Sequence, residues 1–169
     1  MRSFVNLSKP ETLRLNNQFP EILDLVRLEQ VDAYNHYSVS VFDHWLSPEE
    51  AKIEIDQISF KKIESHNEKL FKLVTGLAGQ TDTYLIKFLG RKKSQITFRK
   101  FLSQKGLDRS VKPKNHLISD SFRFILLLPE LETAYFEGSD FTHHFYTKNN
   151  NGKEVFQKMA KSNNLYILE

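Results

Sequence analysis

The spacing of apolar residues changes near residue 121, and this change constrains the fold more than any other feature of the sequence. From Ser47 to Gly79, apolar residues recur at helical spacing. The run from Phe122 to Leu128 instead alternates with a period of two and is apolar on both faces, which is typical of a central strand. The chain therefore predicts helices before residue 121 and a sheet after it.

The last third of the chain predicts the order β-β-β-α-β. Strands are expected at 122–128, 131–137, 141–148 and 165–168, and a helix at 153–162. This order predicts an α+β fold in which helices cover one face of a mainly antiparallel, four-stranded sheet. With 169 residues, one domain is expected, helical over about 1–120 and β-rich over about 121–169.

Three further helices are predicted in the first two thirds. Ser47, Pro48 and Glu50 form a helix start with a capping box, and that helix continues to Gly79. A second helix is predicted from Thr81 and a third over 94–105, with Gly106 as the residue that ends it.

The segment from Pro20 to Trp45 leaves two alternatives open. Its apolar residues recur at spacings of three, four and seven, which favours a helix with one buried face. Residues 37–42 also alternate with a period of two, so a strand there remains an alternative.

Composition excludes several classes of site. The chain has no cysteine, which excludes disulfides, thiolate zinc sites, iron–sulfur clusters and a cysteine nucleophile. The first residues lack the apolar core of a signal peptide, and the longest apolar run is far shorter than a membrane span. We expect a soluble cytoplasmic protein without a cofactor or catalytic metal.

Positive charge is concentrated in one segment. Residues 87–116 contain ten basic residues and one acidic residue, whereas residues 1–86 carry a net charge of −4. If the helix predicted from Thr81 continued past Gly90, basic residues spaced by seven would form one basic face. The loop after Gly106 would extend this face. The candidate binding residues are Lys92, Lys93, Arg99, Lys100, Arg109, Lys112 and Lys114. Such a face suits an acidic protein surface or nucleic-acid phosphates, and a merely solvated surface is the alternative.

Two polar groups are weaker candidates for chemistry. Glu137, Asp140, His143 and His144 lie around one turn, although consecutive strand residues point to opposite faces, so the two histidines cannot easily share a metal. A second set would need a helix over 20–45, with Asp32 and His36 as neighbours one turn apart. Its members are Glu29, Asp32, His36 and either Asp43 or His44, with Glu64 and His66 on the next helix.

The C-terminal third resembles the small, aromatic-rich immunity proteins of bacterial toxin systems. The resemblance rests on Phe122–Glu130 and Tyr135–Asp140, followed by a final helix and strand, about 50 residues in all. It implies a protein that acts by binding. Inhibitors of basic nucleases tend to be acidic, and with a pI near 9.0 this chain would be expected to meet an acidic target.

Three hypotheses follow from the sequence. The first is a non-enzymatic protein-binding module of the inhibitor or immunity type. The second is a nucleic-acid-binding protein that uses residues 87–114. The third is a small hydrolase with its site near Glu137, Asp140, His143 and His144. The chain lacks the common nucleotide-binding, metalloprotease and serine-hydrolase motifs.

Overall fold

The computed structural model describes residues 3–27, 31–89, 94–113 and 124–169, which form both helices and strands. The strands are β1 (Phe4–Asn6), β2 (Asn35–Ser40), β3 (Tyr84–Leu89), β4 (Gln95–Phe101), β5 (Ile125–Leu128), β6 (Thr133–Phe136), β7 (Thr142–Thr147) and β8 (Tyr166–Leu168). The helices are α1 (Lys9–Gln18), α2 (Ile22–Val26), α3 (Pro48–Ala51), α4 (Phe60–Ala78), α5 (Gln104–Val111) and α6 (Asn150–Ser162). A π-helical turn, Lys52–Asp56, continues α3, and a 3-10 turn, Pro129–Leu131, follows β5.

The described strands form one sheet in the order β1-β4-β3-β5-β6-β7-β2-β8. Each pairing between neighbours in this order is antiparallel. The α+β class and the antiparallel sheet are therefore confirmed. The sheet has eight described strands rather than the four expected.

Helices lie on both faces of the sheet rather than on one. On one face, α1 and α2 pack on the central strands through residues such as Leu15, Phe19 and Leu25. On the other face, α4, α5 and α6 contribute side chains such as Leu73 and Phe156 to a second core. The central strand β5 supplies residues to both cores alternately, as its two apolar faces predict.

The predicted division into a helical part and a β-rich part is wrong, because helices and strands are interspersed. Residues 84–89 and 95–101, expected in helices, pair with each other as β3 and β4. Both strands have apolar side chains on the two faces of the sheet, so these residues do not keep a strict period of two and also fit a helical spacing. Their isoleucine, threonine and aromatic residues favour the extended form.

The segment from Pro20 to Trp45 is also corrected. Among the described residues of this segment, only the five of α2 are helical, and residues 35–40 form the strand that was the alternative. β2 lies between β7 and β8 and pairs with both, so its backbone hydrogen bonds depend on residues more than 100 positions away. Local spacing cannot reveal such partners.

Two other local signals are confirmed, but the single helix expected from Ser47 to Gly79 is interrupted: residues 57–59 are not helical, and α4 begins after a new N-cap at Ser59. Ser47 and Glu50 form the capping box of α3, and Gly79 is the C-cap of α4. Gly106, expected to end a helix, instead lies inside α5, where a Cβ atom would come within 2.7 Å of the Ser3 carbonyl oxygen. Within the described ranges, no helix combines the length and apolarity needed to cross a membrane.

Candidate functional site

The basic segment does not form the single helical face that its spacing predicts. Lys92, Lys93 and Lys114 lie outside the described residues. Arg99 and Lys100 are consecutive residues of strand β4, so their side chains leave the sheet on opposite faces. The expected grouping of these two side chains is therefore wrong.

The described basic side chains have separate surroundings. Arg99 stacks over the Phe4 ring at 4.7 Å, and its Nε donates a hydrogen bond to Asn6 Oδ1 at 3.1 Å. Arg109 and Lys112 are exposed on α5 and at its end. A binding role for these residues stays a prediction.

His143 and His144 point to opposite faces of the sheet, as their consecutive positions predict. His143 is buried, and its Nδ1 lies 2.6 Å from the Tyr135 hydroxyl. Burial, followed by the charge of Glu137, raises the pKa of Tyr135, so the hydroxyl keeps its proton. His143 and Tyr135 are therefore separated from His144 by the sheet, and Glu137 is buried, so these residues do not form one open site.

His144 belongs to a polar cluster on the other face that the sequence did not reveal. Its Nδ1 lies 3.0 Å from Ser38 Oγ and 3.2 Å from His36 Nε2. At the next pair of residues on the same face of β2 and β7, the hydroxyls of Ser40 and Thr142 are 2.8 Å apart. The register of β2 with β7 brings these residues together, and that register was hidden while residues 35–40 were assigned to a helix.

The cluster is uncharged at neutral pH. Burial, followed by the nearby His36, lowers the pKa of His144 to about 4, and burial also lowers the pKa of His36. Ser38 is only 1% exposed, so it is not placed to attack a substrate. The cluster is therefore an uncharged, hydrogen-bonded group of side chains rather than an accessible nucleophile with its base.

The second polar set is dispersed. Glu29 lies outside the described residues, and Asp32 and His36 are not helical neighbours, because His36 lies in β2. The exposed His44 bridges two carboxylates, with Asp43 at 2.6 Å and Glu50 at 3.1 Å. The hydrogen bond to Asp43, followed by that to Glu50, raises the pKa of His44.

His66 lies on the buried face of α4 and faces two aromatic rings. The ring centroids of Phe141 and Phe42 are 4.9 and 5.9 Å away, both with edge-on geometry. Neither nitrogen of His66 has a hydrogen-bond partner among the described residues. Burial, followed by the charges of Lys69 and Lys62, lowers the pKa of His66 to about 4.

We expect His66 to destabilise the fold in acid. The unfolded chain binds a proton on this residue near pH 6.5 and the folded chain only near pH 4, so the unfolded state holds more protons between these values. The free energy of unfolding should therefore fall as the pH drops through this window, by up to about 1.4 kcal/mol per pH unit for one such group. His66→Leu should reduce this slope and leave stability at pH 7 unchanged or higher, because it removes unpaired polar atoms. Urea denaturation at pH 7 and in the acid window measures the stability and its dependence on pH. If the pH dependence is the same in His66→Leu as in the wild type, His66 is not the group responsible.

Three exposed apolar side chains line two neighbouring clefts. Trp45, Ile53 and Tyr166 are 55%, 62% and 47% exposed. One cleft, of about 280 Å³, has Trp45, Asp140 and His144 in its lining, and the other, of about 340 Å³, has Ile53 and Tyr166. Both clefts share Phe42, His44 and Leu46, so they form one continuous surface. We call residues 43–56 with Tyr166 and the two clefts the Trp45 surface.

The Trp45 surface is acidic although the chain is basic. Residues 43–56 contain five acidic residues and one lysine. Among the described residues, the lining of the two clefts includes Asp43, Glu50, Glu54 and Asp140 and neither lysine nor arginine. Apolar side chains at the centre with charges around them are typical of protein interfaces.

The comparisons with known proteins give no further constraint. Searches among protein families, curated proteins and solved structures found no match to this chain. Among the described residues, no group of three or more histidine, aspartate or glutamate side chains is arranged to hold a metal ion.

Proposed function

We propose that this protein is a non-enzymatic binding module of the inhibitor or immunity type, and that it binds a basic protein through the Trp45 surface. The observation that carries the proposal is the exposure of Trp45, Ile53 and Tyr166 around two adjoining clefts. Exposed apolar side chains that occur singly are common, but a group with tryptophan and tyrosine is typical of the few residues that dominate binding energy.

The local charge of the surface favours a basic partner. The pI of the whole chain suggests an acidic target, but a partner meets the charges around the contact rather than the average charge of the chain. The segment 43–56 carries a net charge of −4, of which Lys62 offsets one negative charge by pairing with Glu54, and Asp140 adds another carboxylate to one cleft. Complementary charge would speed association and reject acidic proteins.

The hydrolase alternative has less support. Its four residues do not converge, since His143 faces the opposite side of the sheet from His144 and Glu137 is 4% exposed. The nucleic-acid alternative keeps its charge argument, but it loses the common face of Arg99 and Lys100.

The proposal predicts that the double variant Trp45→Ala/Ile53→Ser loses partner affinity by at least about tenfold, because both side chains lie at the centre of the contact. The control is Leu13→Ser on α1, since Leu13 is 61% exposed and lines neither cleft. Proteins captured from the source organism by the wild type and by the control, but not by the double variant, would be purified. Their dissociation constants would then be measured by calorimetry at two salt concentrations.

A second variant separates this surface from the basic segment. Reversing Arg99, Lys100, Arg109 and Lys112 to glutamate should leave the affinity for a basic partner unchanged or higher. If this variant loses binding while the double variant keeps it, the interface lies on the basic segment and the proposal fails. If instead the wild type binds arbitrary DNA or RNA in a strongly salt-dependent way and the charge-reversed variant does not, the nucleic-acid alternative stands.

A further inference from the structure

The cleft beside Trp45 is shaped for a group smaller than a typical ligand. Its volume of about 280 Å³ lies just below the range of roughly 300–1,000 Å³ for small-molecule sites. Apolar side chains form part of its lining, namely Phe42, Trp45, Leu46, Ile55 and Leu168. The dimensions suit one long side chain from a partner.

The polar part of the lining carries negative charge. Asp140 is the one carboxylate among the described residues that line this cleft, and no lysine or arginine accompanies it. His144, on the sheet side, is neutral near pH 7 because burial keeps its pKa near 4. His44 also lines the cleft, but Asp43 and Glu50 flank it, so these three side chains together remain negative even when His44 is protonated.

Asp140 is held in place by an unusual turn. The Thr142 N–H donates to the Ser139 carbonyl oxygen at 2.9 Å, and the two residues between them have φ angles of 55° and 57°. Such a turn usually places glycine at its second central position, whereas here Phe141 occupies it. Phe141 is 3% exposed and packs against His66, so its burial offsets the backbone strain. The buried Phe141 fixes the turn while Asp140 stays exposed.

We propose that this cleft takes an arginine side chain of the partner protein, an inference that rests on the proposed function and names its anchor. A guanidinium group can stack on the half-exposed indole of Trp45 and pair with the Asp140 carboxylate through two N–H groups. Its apolar stem would lie along Leu46 and Ile55. Arginine fits better than lysine because its guanidinium group is planar and less strongly hydrated than the lysine ammonium group.

The test uses N-acetyl-L-arginine methylamide as the probe and the citrulline analogue as its uncharged control. Each is titrated to about 50 mM into ¹⁵N-labelled protein, a range that detects even millimolar binding. The arginine probe should shift the Trp45 indole and Thr142 amide signals saturably, and the citrulline probe should not. Asp140→Asn should weaken the arginine probe at least about tenfold, and it keeps the turn because asparagine tolerates a positive φ.

Three results would overturn the inference: equal binding of both probes, unchanged arginine binding in Asp140→Asn, or no saturable shift near the cleft. The probe titration and the test of the proposed function can fail independently of each other. If the arginine probe fails while Trp45→Ala/Ile53→Ser still weakens the partner, only the arginine anchor is wrong. If the probe binds as expected but the double variant leaves partner binding intact, the cleft recognises guanidinium and the proposed function fails.

Discussion

Phe156→Ala should lower the free energy of unfolding by about 3–5 kcal/mol, the usual cost of removing a fully buried aromatic ring. Phe156 is on α6 and is 0% exposed. Its ring stacks on Phe145 at 4.1 Å and on Tyr135 at 5.7 Å. The three rings join α6 to β6 and β7, so alanine would leave a cavity between the helix and the sheet.

Phe60→Ala is the matched control for this substitution. Phe60 is 73% exposed at the start of α4, and its truncation should change stability by no more than about 0.5 kcal/mol. Urea denaturation of both variants measures the difference. Equal effects would mean that the core between α6 and the sheet is not packed as described.

Gly138→Ala should cost about 2–3 kcal/mol, because the added methyl group has no room. A Cβ atom at this position would overlap the Thr142 carbonyl oxygen and lie 3.1 Å from two atoms of the His144 ring. The carbonyl belongs to the backbone of β7 and cannot move without disturbing the strand pairing. The wall of the cleft beside Trp45 should shift as well, so the Thr142 and His144 resonances should change.

Gly79→Ala provides the comparison for Gly138→Ala. Gly79 is the C-cap of α4, and a Cβ atom there would meet the Thr75 carbonyl oxygen at 3.4 Å, an ordinary contact. Its φ angle of −79° suits alanine, so stability should remain within about 0.5 kcal/mol or rise slightly. A Gly138→Ala variant as stable as Gly79→Ala would show that the turn adapts to the methyl group.

The candidate site was only partly predictable. The opposite orientations of His143 and His144 follow from the period of a strand, and the structure confirms them. The neighbours of His144 could not be predicted, because His36 and Ser38 approach it across 108 and 106 positions of sequence. The Trp45 surface was missed for a related reason. Trp45 fits the apolar spacing of a helix, whereas it lies beyond β2 and its indole donates to the Glu169 carbonyl oxygen at 3.2 Å.

One missed element had a local signal. Ser8 and Glu11 form a capping box that begins α1, with Pro10 in the first turn, and this pattern is readable in the sequence. The acidic character of the Trp45 surface was readable too, since residues 43–56 carry it in one run. The average charge of the chain concealed it.

The sequence by itself determined the elements whose cause is local: the capped start of α3, the end of α4 at Gly79, and the succession of β5, β6, β7, α6 and β8. Capping groups, turn residues and side-chain period act within a few residues, so they can be read directly. The tertiary structure decided that β2, β3 and β4 are strands, since each has neighbours on both sides whose backbone groups it pairs with. It also decided which charged side chains share a surface. Arg99 and Lys100 point to opposite faces because they are consecutive residues of a strand, whereas in a helix they would lie in adjacent rows of one face.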